Sequence, residues 1–268
     1  MGKSTFIEAF GLHAIKEGHR LAVLAIDPTS PRSGGSILGD KTRMEELARH
    51  ERAFIRPSPS KGALGGVARR TREAMLACEA AGFDLVLVET VGVGQSEIAV
   101  ADMVDMFLLL LAPGGGDELQ GIKRGIVEIA DAIIVTKGDG ELARDATRIA
   151  ADYRAALHLL RPRVAGWTVP VLVCSALEGK GIDGVWQAVR RHYDMLADSG
   201  ALARNRADQA SAWLWSELRE GLVERFRDRP GMARRLAEAE AEVRAGGASP
   251  ALAARALLDA FAAKPRKR

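Results

Sequence analysis

Met1-Gly2-Lys3-Ser4-Thr5 opens the chain, and a helical pattern from Thr5 to Glu17 carries it into the apolar run Arg20 to Ile26, closed by Asp27. Gly-Lys-Ser is the ending of the phosphate loop G-x-x-x-x-G-K-[ST]. In that loop backbone N–H groups wrap phosphates, the lysine reaches the β and γ phosphates, and the hydroxyl meets Mg²⁺. Gly2, Lys3, Ser4 and the adjoining Thr5 match that ending, while the earlier positions of the motif would fall before Met1. Four matching residues suit an ordinary helix N-terminus just as well, so the rest of the chain has to decide between the two.

Working outward, short apolar runs alternate with longer helical patterns. The runs are Arg20 to Ile26, Phe54 to Arg56, Asp84 to Glu89, Met106 to Leu111, Ala132 to Thr136 and Val169 to Cys174. Helical stretches lie between them: Thr5 to Glu17, Gly66 to Ala81, Gln120 to Ala130, Gly140 to Leu160 and Ile182 to Ala197. Near-continuous Val, Ile and Leu are what strands buried on both faces require, and strand–helix alternation implies a mostly parallel sheet flanked by helices. The expected fold class is therefore α/β, with a phosphate-loop nucleoside-triphosphatase domain over residues 1–198. From about Ser199 the strand signals stop. Leu214, Leu218, Leu222 and Phe226 recur every fourth residue, with breaks at Pro230, Gly231 and at Gly246, Gly247. Residues 199–268 thus read as amphipathic helices with too few large apolar side chains for a core of their own, which favours a dimerisation arm over helices packed on their own domain.

Composition narrows the classes. At 268 residues and 47% hydrophobic, the chain can bury one large core with a smaller appendage. Its 38 basic and 35 acidic residues leave a net charge of only +3, spread along the chain, which gives no footing for nucleic acid. The basic cluster Lys264 to Arg268 reads as a solvated end. Cys78 and Cys174 lie far apart and outside any C-x-x-C pair. That argues against a disulfide framework or a zinc site and fits a reduced, cytoplasmic setting. No apolar run reaches the ~18 residues of a membrane span, and no signal-peptide pattern opens the chain.

In parallel sheets ligands gather at the carboxyl ends of the strands. The run Asp84 to Glu89 ends in a carboxylate followed by Thr90, Val91 and Gly92. A carboxylate there, beside a phosphate loop, is where Mg²⁺ is held, and the Gly92 N–H can reach a γ-phosphate. After Ala132 to Val135 comes Thr136-Lys137-Gly138-Asp139, the guanine-reading pattern [NT]-K-x-D. Its aspartate accepts from the base N1–H and exocyclic amine, which adenine cannot offer, and Lys137 lays its stem along the base. Asn is the commoner first residue, so Thr136 departs from the pattern slightly. Ser175-Ala176-Leu177 follows the last run and is placed to offer a backbone N–H to the guanine oxygen. Each element is weak by itself, and the four in this order are specific.

Longer segments carry a family resemblance. Asp27-Pro28-Thr29-Ser30-Pro31, Ser36 to Met44, Glu89 to Glu97 (ETVGVGQSE) and Ala112 to Gly125 (APGGGDELQGIKRG) resemble the methylmalonyl-CoA mutase-associated GTPases of the MeaB/ArgK/MMAA type, a SIMIBI-class group. The resemblance covers essentially the whole chain. It implies a homodimeric GTPase that escorts an adenosylcobalamin-dependent acyl-CoA mutase, gating cofactor delivery and protecting the enzyme. It also implies that Lys3 binds phosphates, that Ser4 coordinates Mg²⁺, and that Asp27, Asp40 and Glu89 surround the metal in different nucleotide states. The segment Gly114 to Lys123 resembles the family's coupling loop, with Gln120 and Lys123 its candidate functional residues. Family members carry a helical segment, a first strand and a G-x-P-G loop opening ahead of the position of Met1, without which the sheet would lack a central strand.

Val93 stands where Ras-like GTPases place a water-orienting glutamine. Valine cannot polarise water, so hydrolysis should be slow until a partner orders a polar group from Gly114 to Lys123 or nearby. Three other readings compete: a kinase-type nucleoside-triphosphatase of amino-acid transport, a non-catalytic mutase-binding protein, and a metallochaperone GTPase. Asp139 opposes the first, because a kinase would use ATP, and the absence of cysteine and histidine clusters opposes the last.

Overall fold

The computed structural model describes residues 2–27, 44–59, 64–90, 96–113, 124–158 and 164–263. In chain order its first elements are α1 (Lys3–Lys16), β1 (Leu21–Asp27), α2 (Glu45–Arg49), β2 (Ala53–Pro59), α3 (Leu64–Ala80), β3 (Leu85–Thr90) and α4 (Ser96–Ala101). Then come β4 (Leu108–Leu111), α5 (Arg124–Ile129), β5 (Ala132–Val135), a 3-10 turn (Gly140–Leu142), α6 (Ala143–Leu157), β6 (Val171–Val173) and α7 (Ile182–Asp198). Three helices follow: α8 (Ala201–Asp228), α9 (Met232–Arg244) and α10 (Pro250–Ala262). All six apolar runs form strands. The short helices α2 and α4, of five and six residues, have no counterpart in the sequence pattern, since fewer than two turns leave no readable periodicity.

Every strand pairing is parallel, but the strands form two sheets of three, ordered β2-β1-β3 and β4-β5-β6. Leu21 faces Ala53 on one side and Leu85 on the other, and Ile133 of β5 pairs with Leu109 and Val171. As the middle strands, β1 and β5 lose nearly all solvent contact: Leu21 to Leu24 and Ala132 to Val135 are each 0% exposed. β3 is only half-buried throughout, although its sequence is equally apolar. Among the described residues β3 and β4 each pair with one strand, and both line a cavity of about 1340 Å³.

Helices cover both faces, because successive strand residues point to opposite sides. Leu21, Val23, Ala132 and Ile134 share a core with Phe6, Phe10 and Leu47 and with Val185 and Trp186 of α7. Ala22 and Leu24 turn the other way onto Ala74 and Cys78 of α3, while Ile133 and Val135 meet Ala146, Ala150 and Tyr153 of α6. α1 packs very close to β1: a Cβ on Gly11 would sit 2.6 Å from Leu21 Cδ2. Truncating a fully buried residue such as Leu24 to Ala should cost about 2–5 kcal/mol.

The chain divides into two compact units, Met1–Gln209 and Ala210–Arg268, the division falling inside α8. The first turns of α8 belong to the first unit. Arg206 makes a two-pronged ion pair with Asp105, at 2.9 and 2.6 Å, and Gln209 Nε2 donates to the Val104 carbonyl at 3.0 Å. In the second unit Phe226 and Phe261 rings lie 5.4 Å apart, and the Arg229 guanidinium donates to the Phe261 and Ala263 carbonyls at the end of α10. A cation there satisfies terminal carbonyls and complements the helix dipole. Helix breaks fall at Gly231 and Gly246, both with left-handed φ (84° and 76°). Leu214, Trp215, Leu218, Leu222 and Val223 of α8 are all at least 45% exposed. Among the described residues no helix is long and apolar enough to cross a membrane.

Candidate functional site

The first turn of α1 stands at the carboxyl end of β3. Gly2 caps the helix with φ 80° and ψ 16°, a conformation that favours glycine, and neither a side-chain cap nor an acidic residue occupies the first turn. The first N–H groups of a helix lack intrahelical partners and sit at the positive end of its dipole, so this terminus suits a phosphate. Lys3 Nζ donates to the Thr90 carbonyl at 2.5 Å. An ammonium has three donors, so it can hold β3 and still reach an anion. Ser4 and Thr5 are half-buried beside it.

Sheet register brings the acidic residues to the same end. Ala25 pairs with Glu89 and Ile26 with Thr90, so Asp27 ends β1 one step beyond Thr90. Glu89 is half-buried, lines the cavity between β3 and β4, and keeps its Oε2 shielded from solvent. Oxygen donors of this kind, a hydroxyl and one or two carboxylates completed by phosphates and water, suit Mg²⁺. Among the described residues no three His, Cys, Asp or Glu side chains cluster as a metal cage.

At the ends of β5 and β6 lies the second half of the site. Thr136 is 3% exposed, and both its N–H (2.8 Å) and its hydroxyl (2.9 Å) donate to the carbonyl of Leu111, the last residue of β4. Lys137 follows with φ 56°, the single non-glycine residue with positive φ among those described. Gly138 N–H donates to the Cys174 carbonyl at 2.9 Å, and Asp139 then leads into the 3-10 turn. Burial, and secondarily the charge of Asp139, push the Cys174 thiol up to about 11. Ser175 is 1% exposed; its N–H donates to the Lys180 carbonyl and its hydroxyl accepts from Glu178 N–H, closing a turn on which Leu177 stands 81% exposed.

The two halves meet. A Cβ on Gly2 would lie 3.8 Å from Lys137 Cε, so the Lys137 stem runs alongside the α1 terminus. Gly2, Lys3, Ser4, Thr5, Glu89, Thr136, Lys137, Asp139, Ser175, Ala176 and Leu177 all stand at carboxyl strand ends or on the helix beginning there. Asp27 ends β1, its side chain outside what is described, and Asp40, Gly92, Gln120 and Lys123 lie outside the described residues. Three partners escaped the sequence pattern: the Thr90, Leu111 and Cys174 carbonyls. Backbone acceptors carry no residue-type signal, so only tertiary structure reveals them.

Known proteins bear on this geometry. The family model described as "Methylmalonyl Co-A mutase-associated GTPase MeaB" matches residues 1–231. A "Putative GTPase" of Caulobacter vibrioides is 56% identical over 260 residues, spanning 97% of this chain and 79% of that protein. "Methylmalonic aciduria type A homolog, mitochondrial" of Mus musculus is 53% identical over 97% of this chain, which spans 63% of that longer protein. Among solved structures, "Crystal structure of LAO/AO transport system kinase" superposes with a TM-score of 0.73 at 40% identity, over 98% of this chain and 78% of that one. With the parallel sheets, their flanking helices and the glycine-capped α1 in place, this chain belongs to the MeaB family of methylmalonyl-CoA mutase-associated P-loop GTPases.

Proposed function

We propose that this GTPase serves an adenosylcobalamin-dependent acyl-CoA mutase, most simply methylmalonyl-CoA mutase, as a chaperone whose nucleotide state gates cofactor delivery and protects the enzyme. The observation that carries the nucleotide half is the meeting of the α1 terminus with the Thr136-to-Asp139 turn, Gly2 against the Lys137 stem. The mutase half rests on the family to which the chain belongs.

Each residue then has a role. Gly2, Lys3, Ser4 and Thr5 hold the phosphates through N–H groups and the ammonium, with Gly92 N–H on the γ-phosphate. Asp139 accepts from the guanine edge, Lys137 covers the base, and the Ser175-Ala176-Leu177 turn offers an N–H to the guanine oxygen. Ser4, Asp27, Asp40 and Glu89 suit a Mg²⁺ ion, which would supply neutralisation of charge on the phosphate oxygens. With Val93 in place of a polar residue, hydrolysis waits on the partner, which orders Gln120, Lys123 or a neighbour in Gly114 to Lys123. The apolar stripe Leu214, Leu218, Leu222 of α8 suits a second copy of the chain, making a cytoplasmic homodimer.

The cavity between β3 and β4 bears on the phosphate loop. Lys3, Glu89 and Thr90 line it, so it opens onto the α1 terminus. Calorimetry with GTP and ATP in the presence of Mg²⁺, on this chain and on one extended by whatever in-frame codons precede Met1, tests the nucleotide site. GTP-selective binding is expected. Folded protein that binds neither nucleotide in either form would sink the proposal. A kinase-type role has one observation in its favour, the 40% identical structure titled a transport system kinase, and selective ATP binding in the same experiment would favour it.

A further inference from the structure

The base-reading turn is held from both sides by carbonyls at strand ends, and one side leaves no room for a side chain. On the β4 side the Leu111 carbonyl accepts from both Thr136 N–H and Thr136 Oγ1. On the β6 side Gly138 N–H reaches the Cys174 carbonyl, and a Cβ added to Gly138 would meet Val173 Cγ1 at 2.5 Å and the Cys174 carbonyl oxygen at 3.2 Å. Val173 is β-branched and sits in a strand, where χ1 freedom is small, and the carbonyl is backbone. A side chain at 138 would therefore be relieved mainly by moving the turn away from β6. Asp139, the next residue, would move with it.

The geometry points to Gly138 and Thr136 as positioning residues for base discrimination: they set the height of Asp139 over the Ser175 turn, and so whether its carboxylate meets the exocyclic amine of guanine. This rests on the guanine site proposed above. A glycine in the third place of [NT]-K-x-D is then a steric requirement of β6, and threonine in the first place is a tie to β4. Hydrogen bonding to a charged group is sensitive to displacement, so a shift of a few tenths of an ångström in Asp139 should show in selectivity before it shows in folding.

Inosine triphosphate separates the two effects, because its base keeps N1–H and the guanine-type oxygen but lacks the exocyclic amine. The unaltered chain, extended upstream if the extended form is the one that binds, should prefer GTP over ITP by roughly tenfold or more, the worth of one hydrogen bond to a charged acceptor. Gly138→Ala should bring that preference toward unity, with ITP affinity falling by less than GTP affinity because ITP has only the N1–H contact to lose. Adding Val173→Ala to Gly138→Ala removes the 2.5 Å contact and should restore much of the preference. Thr136→Val should reduce the preference by a smaller factor and Thr136→Ser should keep it. The Thr136 pair decides the matter if Gly138→Ala does not fold, because Thr136 N–H still satisfies Leu111 in both variants. Equal losses for GTP and ITP, or an unchanged ratio in every variant, would overturn the inference and leave the guanine site standing. No GTP preference in the unaltered chain would instead overturn the guanine site itself.

Discussion

The proposed phosphate end and the proposed base end of the site are built differently. At the proposed base end the residues lie on short turns: Thr136 is tied to Leu111 at the end of β4, Gly138 to Cys174 just after β6, and Ser175 to Lys180 ahead of α7. The strand behind it, β5, is wholly buried. At the phosphate end the helix terminus rests on β3, which is half-buried and pairs with β1 alone among the described residues, and Asp40, Gly92, Gln120 and Lys123 belong to segments outside them. Under the proposed function, selectivity for the base would rest on turns tied to β4 and β6, and the chemistry on a helix terminus and on residues outside those described. A site divided as proposed would keep hold of its base while its catalytic end answers to a partner.

The sharpest way to separate the ends is Lys3→Ala, expected to lower GTP turnover by about 10²–10³-fold through loss of one charged donor at the phosphates. Phosphate release would read it, and the GTP-over-ITP binding ratio should survive. Collapse of that ratio would show that the two ends are one unit. Next in size is Asp139→Asn, which replaces a double acceptor by an acceptor and a donor. GTP affinity should fall about 10²-fold while xanthosine triphosphate, with a carbonyl where guanine has its amine, gains. Competition with a labelled GDP measures both. A smaller effect is expected from the partner: a cobalamin-dependent mutase should raise turnover by roughly tenfold or more, since Val93 cannot orient water. Fast GTP turnover indifferent to the mutase would refute this.

The smallest effect belongs to Cys174. Burial and then Asp139 raise its pKa from 9.0 to about 11, so the folded protein keeps the thiol protonated where the unfolded chain has begun to lose it. The folded state then binds more protons, and this contribution to stability is full below pH 9 and fades as pH rises from about 9 to 11. Urea midpoints across that window should fall less steeply in Cys174→Ala. Thiol labelling of the native protein at pH 8 should be slow at Cys174, which is 2% exposed.

Much of the fold was legible because buried parallel strands announce themselves. Arg20 to Ile26 became β1 and Ala132 to Thr136 became β5 with boundaries shifted by one residue, and Gly231 and Gly246 broke the C-terminal helices where Pro-Gly and Gly-Gly pairs had suggested. The helices α2 and α4 were illegible, being too short to show a period. The apolar composition of β3 did not reveal that among the described residues it pairs with one strand alone, because hydrophobicity records what a strand would bury and not which neighbours it has.

Sequence alone determined the family, the strand–helix alternation and the order of the phosphate, metal and base motifs, since each depends on residue types at fixed local spacing. Tertiary structure alone decided that Lys3 reaches the Thr90 carbonyl, that Lys137 passes Gly2, and that Gly138 has no space for a side chain. Those contacts join residues far apart in the chain, largely through backbone atoms, which every residue type carries alike and which only the packing of one strand end against another can single out.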